Sequence, residues 1–248
     1  MFEPVKLAVS GFMYRYFQSI APTTPQMRHY LQRPFKSSVL WAPTRMIDKV
    51  EEQFGKYLRV DNEEPTSPHK LPVIIVAMAR DYSPTGRDYG RQIADARFVI
   101  IKGDPKERAF KLKTISGDIR VQVAFFAHEE PTCKSLAAQF LLYLDETPNR
   151  RFTAFYPFAG LNTKWPVQIE APDSPAMNID TGVKDLNILT VDLNLKVTTP
   201  LFIAPKEGEE NDGKGVVGTD DPPGFPLVQN VSIDGYIEST LVFEKDIP

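Results

Sequence analysis

The chain has 248 residues, a length that suits one large domain or two small ones, and its 42% hydrophobic and 25% charged residues are enough to form a buried core. The formal net charge of -3 argues against a general affinity for nucleic acid or anionic membranes. The single cysteine, Cys133, excludes an internal disulfide and fits a reducing cytoplasm.

No targeting or membrane-spanning segment is expected. The N-terminal residues MFEPVKLAVSGF carry Glu3 and Pro4 where a signal peptide has basic residues. The sequence has no run of about 18 consecutive apolar residues, which predicts that the chain does not cross a membrane. The 22 prolines are spread along the chain, and this distribution favours many loops between short elements.

The first 70 residues contain two recognisable elements. Gly11–Phe17 alternates imperfectly, so the pattern favours neither helix nor strand. Ser38–Ala42 (SVLWA) is typical of a short strand. Apolar residues then recur at helical spacing within Met46–Gly55, which predicts a short amphipathic helix capped by its final glycine. Residues 61–70 form an acidic, proline-bearing loop.

Strands are predicted around the middle of the chain. Leu71–Ala79 (LPVIIVAMA) is apolar, rich in β-branched residues and too short for a typical helix, so it predicts a buried strand. Asp81–Gln92 is polar and turn-rich, which indicates a long excursion. Arg97–Lys102 again has strand character.

A strand followed by a helix forms the best-defined unit of the sequence. Arg120–Ala127 (RVQVAFFA) alternates, with Val121, Val123 and Phe125 on one face. Pro131 suits a first helical position, and the helix is expected to run to about Asp145. Its apolar stripe has spacings of three and four and consists of Cys133, Leu136, Ala137, Phe140, Leu141 and Leu144. We predict that Leu136 and Phe140 pack this helix on the sheet.

Three further strands complete the predicted fold. Arg151–Tyr156 and Trp165–Ala171 have strand character, and Asn187–Thr199 alternates most clearly. Its buried face is expected to be Leu189, Val191, Leu193, Leu195 and Val197, opposite Ile188, Thr190, Asp192, Asn194 and Lys196. The predicted class is α+β, a mainly antiparallel sheet with one or two packed amphipathic helices and long loop or arm extensions.

The C-terminal part of the sequence is different in composition. Residues 205–226 are rich in glycine, proline and acidic residues, which predicts a flexible acidic arm. Val231–Phe243 within residues 227–248 returns to strand character, so this part is interpreted as a C-terminal strand extension. The main α+β domain then covers residues 1–204, and the sequence leaves open whether residues 1–60 are peripheral to it.

No residue pattern assigns a catalytic, cofactor-binding or metal site, and no cofactor is expected. His128-Glu129-Glu130-Pro131 resembles the start of a zinc-protease helix, but Thr132 and the proline break that motif. His29 and His69 have no partner at ligand spacing. Cys133 lies on the apolar stripe of the predicted helix, so a core role is favoured over a nucleophile.

Other chemical motifs are incomplete. Ser10-Gly11 and Ser116-Gly117 lack the setting of a nucleophile elbow, and Gly213-Lys214-Gly215 is not placed between a strand and a helix. An acidic cluster could bind Ca²⁺, but it lacks EF-hand spacing and is interpreted as a solvated charge run. It consists of Glu207, Glu209, Glu210, Asp212, Asp220 and Asp221.

Basic and aromatic residues interleave in two segments, Arg28–Arg45 and Arg80–Arg97. The aromatic members are Tyr30, Phe35, Tyr82 and Tyr89. Such a pattern occurs in proteins that bind single-stranded nucleic acid. It also occurs at polar protein interfaces, where Arg and Tyr are enriched. With a negative net charge, the protein interface is the favoured interpretation.

Taken in order, residues 10–205 resemble the tail sheath stabiliser, or tail terminator, of contractile-tailed bacteriophages. The resemblance begins with Phe12, Tyr14, Arg15 and Tyr16 leading to Ile20, then Arg28 to Arg33, and continues through SVLWAP and Leu71-Pro72 followed by VIIVAMARDYSP. Its most specific parts are Asp118–Tyr143 (DIRVQVAFFAHEEPTCKSLAAQFLLY) and Asn187–Leu201 (NILTVDLNLKVTTPL). The acidic arm and the strand from Val231 have no counterpart in this pattern.

The resemblance implies a structural virion protein rather than an enzyme. In that family, subunits form a homohexameric ring that terminates and stabilises the tail tube and sheath at the head-proximal end and joins them to the neck. The implied partners are other copies of the chain, the tail sheath and tail tube proteins, and the neck and head-completion proteins. DNA would pass through the lumen without specific binding, no membrane is involved, and assembly would take place in the host cytoplasm.

Three alternatives remain open at this stage. The chain could be another neck, connector or baseplate protein, which would differ in its partner rather than in its chemistry. It could be a hydrolase with a dispersed site of Asp and Glu residues, since paired carboxylates need not be close in sequence. It could also be a nucleic-acid-binding module, whose binding would depend steeply on salt.

Overall fold

The computed structural model describes residues 3–42, 71–79, 83–84, 97–100, 108–158, 161–170, 174–179 and 186–206. These residues fall into two compact units. The first takes the described residues of Met1–Ala96 and Lys113–Leu201, and the second takes those of Arg97–Leu112 and Phe202–Pro248.

The described part of the chain contains four helices and nine strands. The helices are α1 (Glu3–Ser19), α2 (Pro25–Gln32), α3 (Phe35–Ser38) and α4 (Glu130–Asp145). The strands are β1 (Val39–Trp41), β2 (Val73–Met78), β3 (Ser83–Pro84), β4 (Arg97–Ile100), β5 (Ala109–Ala127), β6 (Arg151–Phe158), β7 (Leu161–Glu170), β8 (Ala176–Ile179) and β9 (Asn187–Ile203).

The sheet has the order β1-β2-β5-β9-β7-β6. β1 pairs with β2 in parallel, whereas the other strand pairs whose register the described residues define are antiparallel, from Val73 opposite Phe126 to Phe158 opposite Leu161. β3, β4 and β8 pair beside this path with β5 or β9. The predicted class, α+β with a mainly antiparallel sheet, is therefore confirmed.

Helix α4 confirms the helix predicted from the spacing of its apolar residues. Pro131 lies in its first turn, where its missing N–H removes no helical hydrogen bond. Lys134 and Glu130 form an exposed ion pair one turn apart, at 2.5 Å. Leu136 and Phe140 are fully buried, as predicted. The helix ends at Asp145, and Glu146 is already extended.

Helix α1 was not assigned from sequence, and it belongs to the centre of the first unit. Its buried residues recur at helical spacing and are Val5, Val9, Phe12, Met13 and Tyr16. The Tyr16 hydroxyl donates a 2.7 Å hydrogen bond to the carbonyl of Leu136 on α4. The buried residues of α1 therefore belong to the same core as those of α4 and β6.

Two short helices follow α1, and neither was predicted. Thr24 caps α2: its side chain accepts a hydrogen bond from the Met27 amide, and Pro25 begins the helix. Ser38 then ends α3, and β1 starts directly after it. The predicted strand Ser38–Ala42 is confirmed over Val39–Trp41.

The main core lies where α1, α2 and α4 pack on the sheet. Phe12 stacks on Phe152 of β6 at 5.4 Å between ring centroids, and it also contacts Phe140 at 6.1 Å. A second cluster consists of Val73, Ile75, Ala77, Ala124, Phe126 and Ile188. Because residues of β2 belong to both clusters, β2 is buried on both faces, as its continuous apolar run predicted.

The alternation predicted for β9 is right over most of the strand and wrong at its start. Val191, Leu193, Leu195 and Val197 are buried, as expected. Ile188 and Thr190, predicted to face away, are also buried, and Ile188 belongs to the second cluster, whereas Leu189, predicted to be buried, is only partly covered. Both faces of the sheet are covered there, so a single alternating pattern does not describe the strand.

Several predicted elements lie outside the described residues. These are the helix within Met46–Gly55, the loop 61–70, most of the excursion Asp81–Gln92, the acidic arm beyond residue 206 and the strand Val231–Phe243.

A candidate protein interaction surface

The zinc-protease-like motif is placed at the junction of a strand and a helix. His128 directly follows β5, and its carbonyl accepts a 2.8 Å hydrogen bond from the Asn187 side chain. Thr132 is buried and lies 2.8 Å from the hydroxyl of Thr24. Within the described residues, no group of three or more His, Cys, Asp or Glu side chains could hold a metal ion.

Cys133 is a core residue, as its place on the apolar stripe predicted. Its thiol is buried and donates a 3.3 Å hydrogen bond to the carbonyl of Phe125. Burial raises the pKa of Cys133 to about 12, against a weaker lowering by a backbone hydrogen bond from Leu189. The thiol is therefore protonated and inert at neutral pH.

The serine candidates are structural. The Ser10 hydroxyl accepts a 2.9 Å hydrogen bond from the indole N–H of Trp41. Ser116 and Gly117 lie within β5, where Gly117 pairs with Pro84, and not at a strand-to-helix turn. His29 is an exposed residue of α2. The Gly213 motif, His69 and the acidic cluster lie outside the described residues.

The first basic and aromatic segment does not present Tyr30 on the surface. Tyr30 is fully buried, and its hydroxyl donates a hydrogen bond to the carbonyl of Ser38. Phe35 packs edge-to-face against Tyr14 at 5.2 Å. Interpreting Tyr30 as part of an exposed interface is therefore wrong. Apart from β3 and the backbone of Arg97, the second segment lies outside the described residues.

A groove lies between α1 and β6 in the first unit. It has a volume of about 480 Å³. Its described lining comes from α1 (Pro4, Leu7, Ala8, Gly11 and Arg15) and from the segment that enters and forms β6 (Pro148, Arg151, Phe152, Thr153 and Phe155). We call it the α1–β6 groove. Leu7 is 70% exposed and Phe155 is 50% exposed, so its rim is apolar and accessible to solvent.

Strand β6 is an edge of the sheet within the described residues. It pairs with β7 from Arg151 to Phe158, and the strand order ends with it. Phe152, Ala154 and Tyr156 are buried in the core, whereas Arg151, Phe155 and Pro157 are exposed. An edge strand has backbone N–H and C=O groups that can pair with a further strand. Pro157 has no N–H, so one hydrogen-bond donor is missing at that end of β6.

Two cations flank the groove. Arg15 of α1 and Arg151 of β6 line it, and both are exposed. Neither guanidinium has an ion-pair partner among the described residues, where the assigned pairs are Lys134–Glu130 and Lys196–Glu170. The groove therefore combines apolar side chains, an open strand edge and two positive charges. This combination favours an extended, acidic and partly apolar polypeptide.

The groove could not have been found as a sequence motif. Its residues lie at the two ends of the interval from Pro4 to Phe155, and only the packing of α1 against β6 brings them together. One local signal was available. Leu7 lies off the buried stripe that includes Val5, Val9 and Phe12, so the helix predicts an exposed leucine once it is recognised as a helix.

Gly11 offers a direct test of the space in the groove. A Cβ atom placed on Gly11 meets nothing within 4 Å. We expect Gly11→Ala to raise the free energy of unfolding by about 0.5–1 kcal/mol, because alanine restricts the unfolded chain and favours the helix. Urea unfolding measures this change. Ala8→Gly in the same helix is the matched control, and its free energy of unfolding should fall by a similar amount. If Gly11→Ala lowered the free energy of unfolding instead, the result would contradict the open space beside Gly11.

None of the helices in the described part of the chain combines the length and hydropathy needed to cross a lipid bilayer. No protein-family model matches the sequence, and no curated protein matches it.

Proposed function

We propose that this chain is a non-enzymatic structural subunit of a contractile phage tail, forming the ring that terminates and stabilises the tube and sheath at the head-proximal end. The observation that carries the proposal is the α1–β6 groove, in which exposed apolar side chains lie beside a strand edge and two arginines, and among the described residues that edge is unpaired and neither arginine has an ion-pair partner. Such a surface suits a protein partner. The tail setting is supported by the sequence resemblance over residues 10–205.

The shape of the groove favours association over catalysis. A small-molecule site usually encloses its ligand and directs a few polar groups at it. Here Leu7 and Phe155 are exposed at the rim, and the charged groups are two arginine side chains on different elements. Arginine and aromatic residues are enriched at protein interfaces.

The proposed ring has six subunits and lies between the tail and the neck of the virion. Each subunit then offers two different surfaces that close by rotation. The amphipathic helices hold the domain together, while residues 205–226 act as an acidic arm and residues 227–248 as a strand extension toward neighbours. The partners are the tail sheath and tube proteins on one side and the neck and head-completion proteins on the other. DNA crosses the lumen without being recognised.

The decisive experiment measures the solution mass of the purified full chain by light scattering, with negative-stain images of any large species. We expect a mass near six subunits and ring-shaped particles. Co-sedimentation with purified tail sheath or tube then tests the partner. Binding to portal or head-completion proteins instead would identify a different neck component. A monomer that binds none of these structures would contradict the proposal.

Deleting residues 206–226 is expected to leave the fold intact and weaken assembly. The reason is compositional: this segment has little apolar content with which to contribute to a core. Circular dichroism and the urea midpoint should match those of the full chain, while the assembled fraction falls at equal concentration. Loss of folded protein would show instead that the segment belongs to the core. A Gly/Ser segment of equal length is the matched control for the length of the connection.

A further inference from the structure

The edge strand β6 defines one requirement for what binds in the α1–β6 groove. Within the described residues, β6 has a neighbour on one side only, and its stretch from Arg151 to Tyr156 precedes Pro157. A strand added along this stretch would form backbone hydrogen bonds whatever its sequence. The side chains that line the groove would then decide which strand fits.

The lining of the groove defines two more requirements. Leu7 and Phe155 favour apolar side chains in the added strand. Arg15 and Arg151 favour carboxylates, because neither arginine has an ion-pair partner in the described part of the chain. An occupant with both properties alternates apolar and acidic residues.

One segment of this chain has that alternation. In Val231–Phe243, apolar residues (Val231, Ile233 and Ile237) alternate with positions that include Asp234 and Glu238. Successive side chains of a strand point to opposite faces, so these apolar and acidic residues would lie on opposite sides of an added strand. The acidic side also carries Tyr236, so it offers two carboxylates and one aromatic ring to the face of β6 that carries both Arg151 and Phe155.

We propose that the α1–β6 groove binds the segment Val231–Phe243 of a second copy of this chain, added as a strand along β6. The inference rests on the proposed self-association. A groove on one copy and a strand on the next are two different surfaces, which is what a ring closed by rotation requires. An extended chain covers at most about 3.3–3.6 Å per residue, so residues 204–226 can span roughly 75 Å. A domain of this size has a radius of gyration of only about 16 Å, so the segment reaches a neighbour.

Disulfide trapping in the full chain tests the contact. Thr153 lies on β6 in the groove, and Ser232 lies in the segment beside Asp234. We mix a tagged Thr153→Cys chain with an untagged Ser232→Cys chain and oxidise them gently; the buried thiol of Cys133 takes no part. The expected result is a cross-linked pair that contains one chain of each kind. The control replaces Thr153→Cys by Ala138→Cys, an exposed position on α4, and should give no such pair.

A charge exchange tests the specificity. The double variant Arg15→Glu, Arg151→Glu should lower the yield of the cross-link about tenfold or more. The reason is that glutamates would then face the carboxylates of the segment, so attraction becomes repulsion. Pairing it with a chain that carries Asp234→Lys and Glu238→Lys should restore the yield. Both arginines are exposed, so the fold is expected to survive, and circular dichroism checks this.

The outcomes separate this inference from the proposed function. Ring-sized particles without the cross-link would overturn the inference and leave self-assembly standing. An intramolecular bridge in a chain that carries both cysteines, without a bridge between chains, would place the segment in its own groove and also overturn it. A monomer with no cross-link at any concentration would exclude the second copy as the occupant, while co-sedimentation with tails would still test the proposed function.

Discussion

Phe140→Ala is expected to lower the free energy of unfolding by about 3–5 kcal/mol, the range for removing a buried aromatic side chain from a core. Phe140 is fully buried on α4 and contacts three aromatic rings. These are Tyr16 at 4.9 Å, Phe125 at 5.5 Å and Phe12 at 6.1 Å between ring centroids. One truncation therefore weakens the contacts of α4 with both α1 and β5. Urea unfolding followed by circular dichroism measures the loss.

Leu142→Ala is the matched control for this experiment. Leu142 lies on the same helix two residues away and is 67% exposed, so its removal leaves no cavity. Its expected effect is within about 0.5 kcal/mol. Leu136→Ala truncates the buried residue one turn before Phe140, and it should lower the free energy of unfolding by about 2–5 kcal/mol. A loss below 0.5 kcal/mol for Phe140→Ala would refute the placement of α4 on the sheet.

Alkaline pH is expected to destabilise the protein strongly above pH 9. Burial raises the pKa of Cys133 to about 12, and burial also raises the pKa values of Tyr16 and Tyr30 above their ordinary values. The folded state thus holds the protons of these three groups more tightly than the unfolded chain does. The stability linked to these groups is complete below the pKa values of the unfolded chain and falls as pH rises past them.

For each group whose pKa is raised by folding, the free energy of unfolding falls by about 1.4 kcal/mol per pH unit between the pKa of the unfolded chain and that of the folded chain. Cys133 contributes from about pH 9 to about pH 12. The two tyrosines contribute from about pH 10 upwards, so the combined slope reaches about 4 kcal/mol per pH unit. Urea midpoints measured at half-unit steps from pH 8 give this slope directly.

Two variants assign the slope to its sources. Cys133→Ala should remove the loss that begins near pH 9, and Tyr16→Phe should lower the slope above pH 10 by about a third. Only the pH dependence is compared, because each variant also changes stability at neutral pH. A stability curve that stays flat from pH 8 to pH 11 would contradict the burial of these groups.

Strongly apolar patterns, either a helical stripe or a continuous run, predicted the fold best. The stripe of α4 and the apolar run of β2 gave the right element in each case, because one face or both faces of each element meet the core. Helix α1 was missed because Tyr14 and Phe17 are aromatic residues outside its buried stripe, with Arg15 close by. The segment Gly11–Phe17 alone therefore shows neither a helical nor a strand period. Its helical stripe becomes visible only when residues from Val5 onward are included.

Strand order and the candidate surface depend on packing between distant parts of the chain. Arg151–Tyr156 was predicted as a strand, but nothing local indicates that β6 lies at an edge of the sheet formed by the described strands. Tyr30 illustrates the same limit: its basic neighbours suggested an exposed residue, whereas the carbonyl of Ser38 and the ring of Phe17 hold it in the core. Apolar residues are identified directly from the sequence, but only tertiary contacts determine which of them are buried.

The packing of α1 also has a consequence for synthesis on the ribosome. Its apolar stripe is covered by α4 and β6, and the bond from Tyr16 to Leu136 joins residues 120 positions apart. At about 5–20 residues per second, roughly 7–30 s pass between the emergence of α1 and that of β6. For most of that interval neither α4 nor β6 is available to cover the stripe. A nascent chain that stops before β6 should therefore remain unfolded and bind chaperones, whatever the stability of the finished protein.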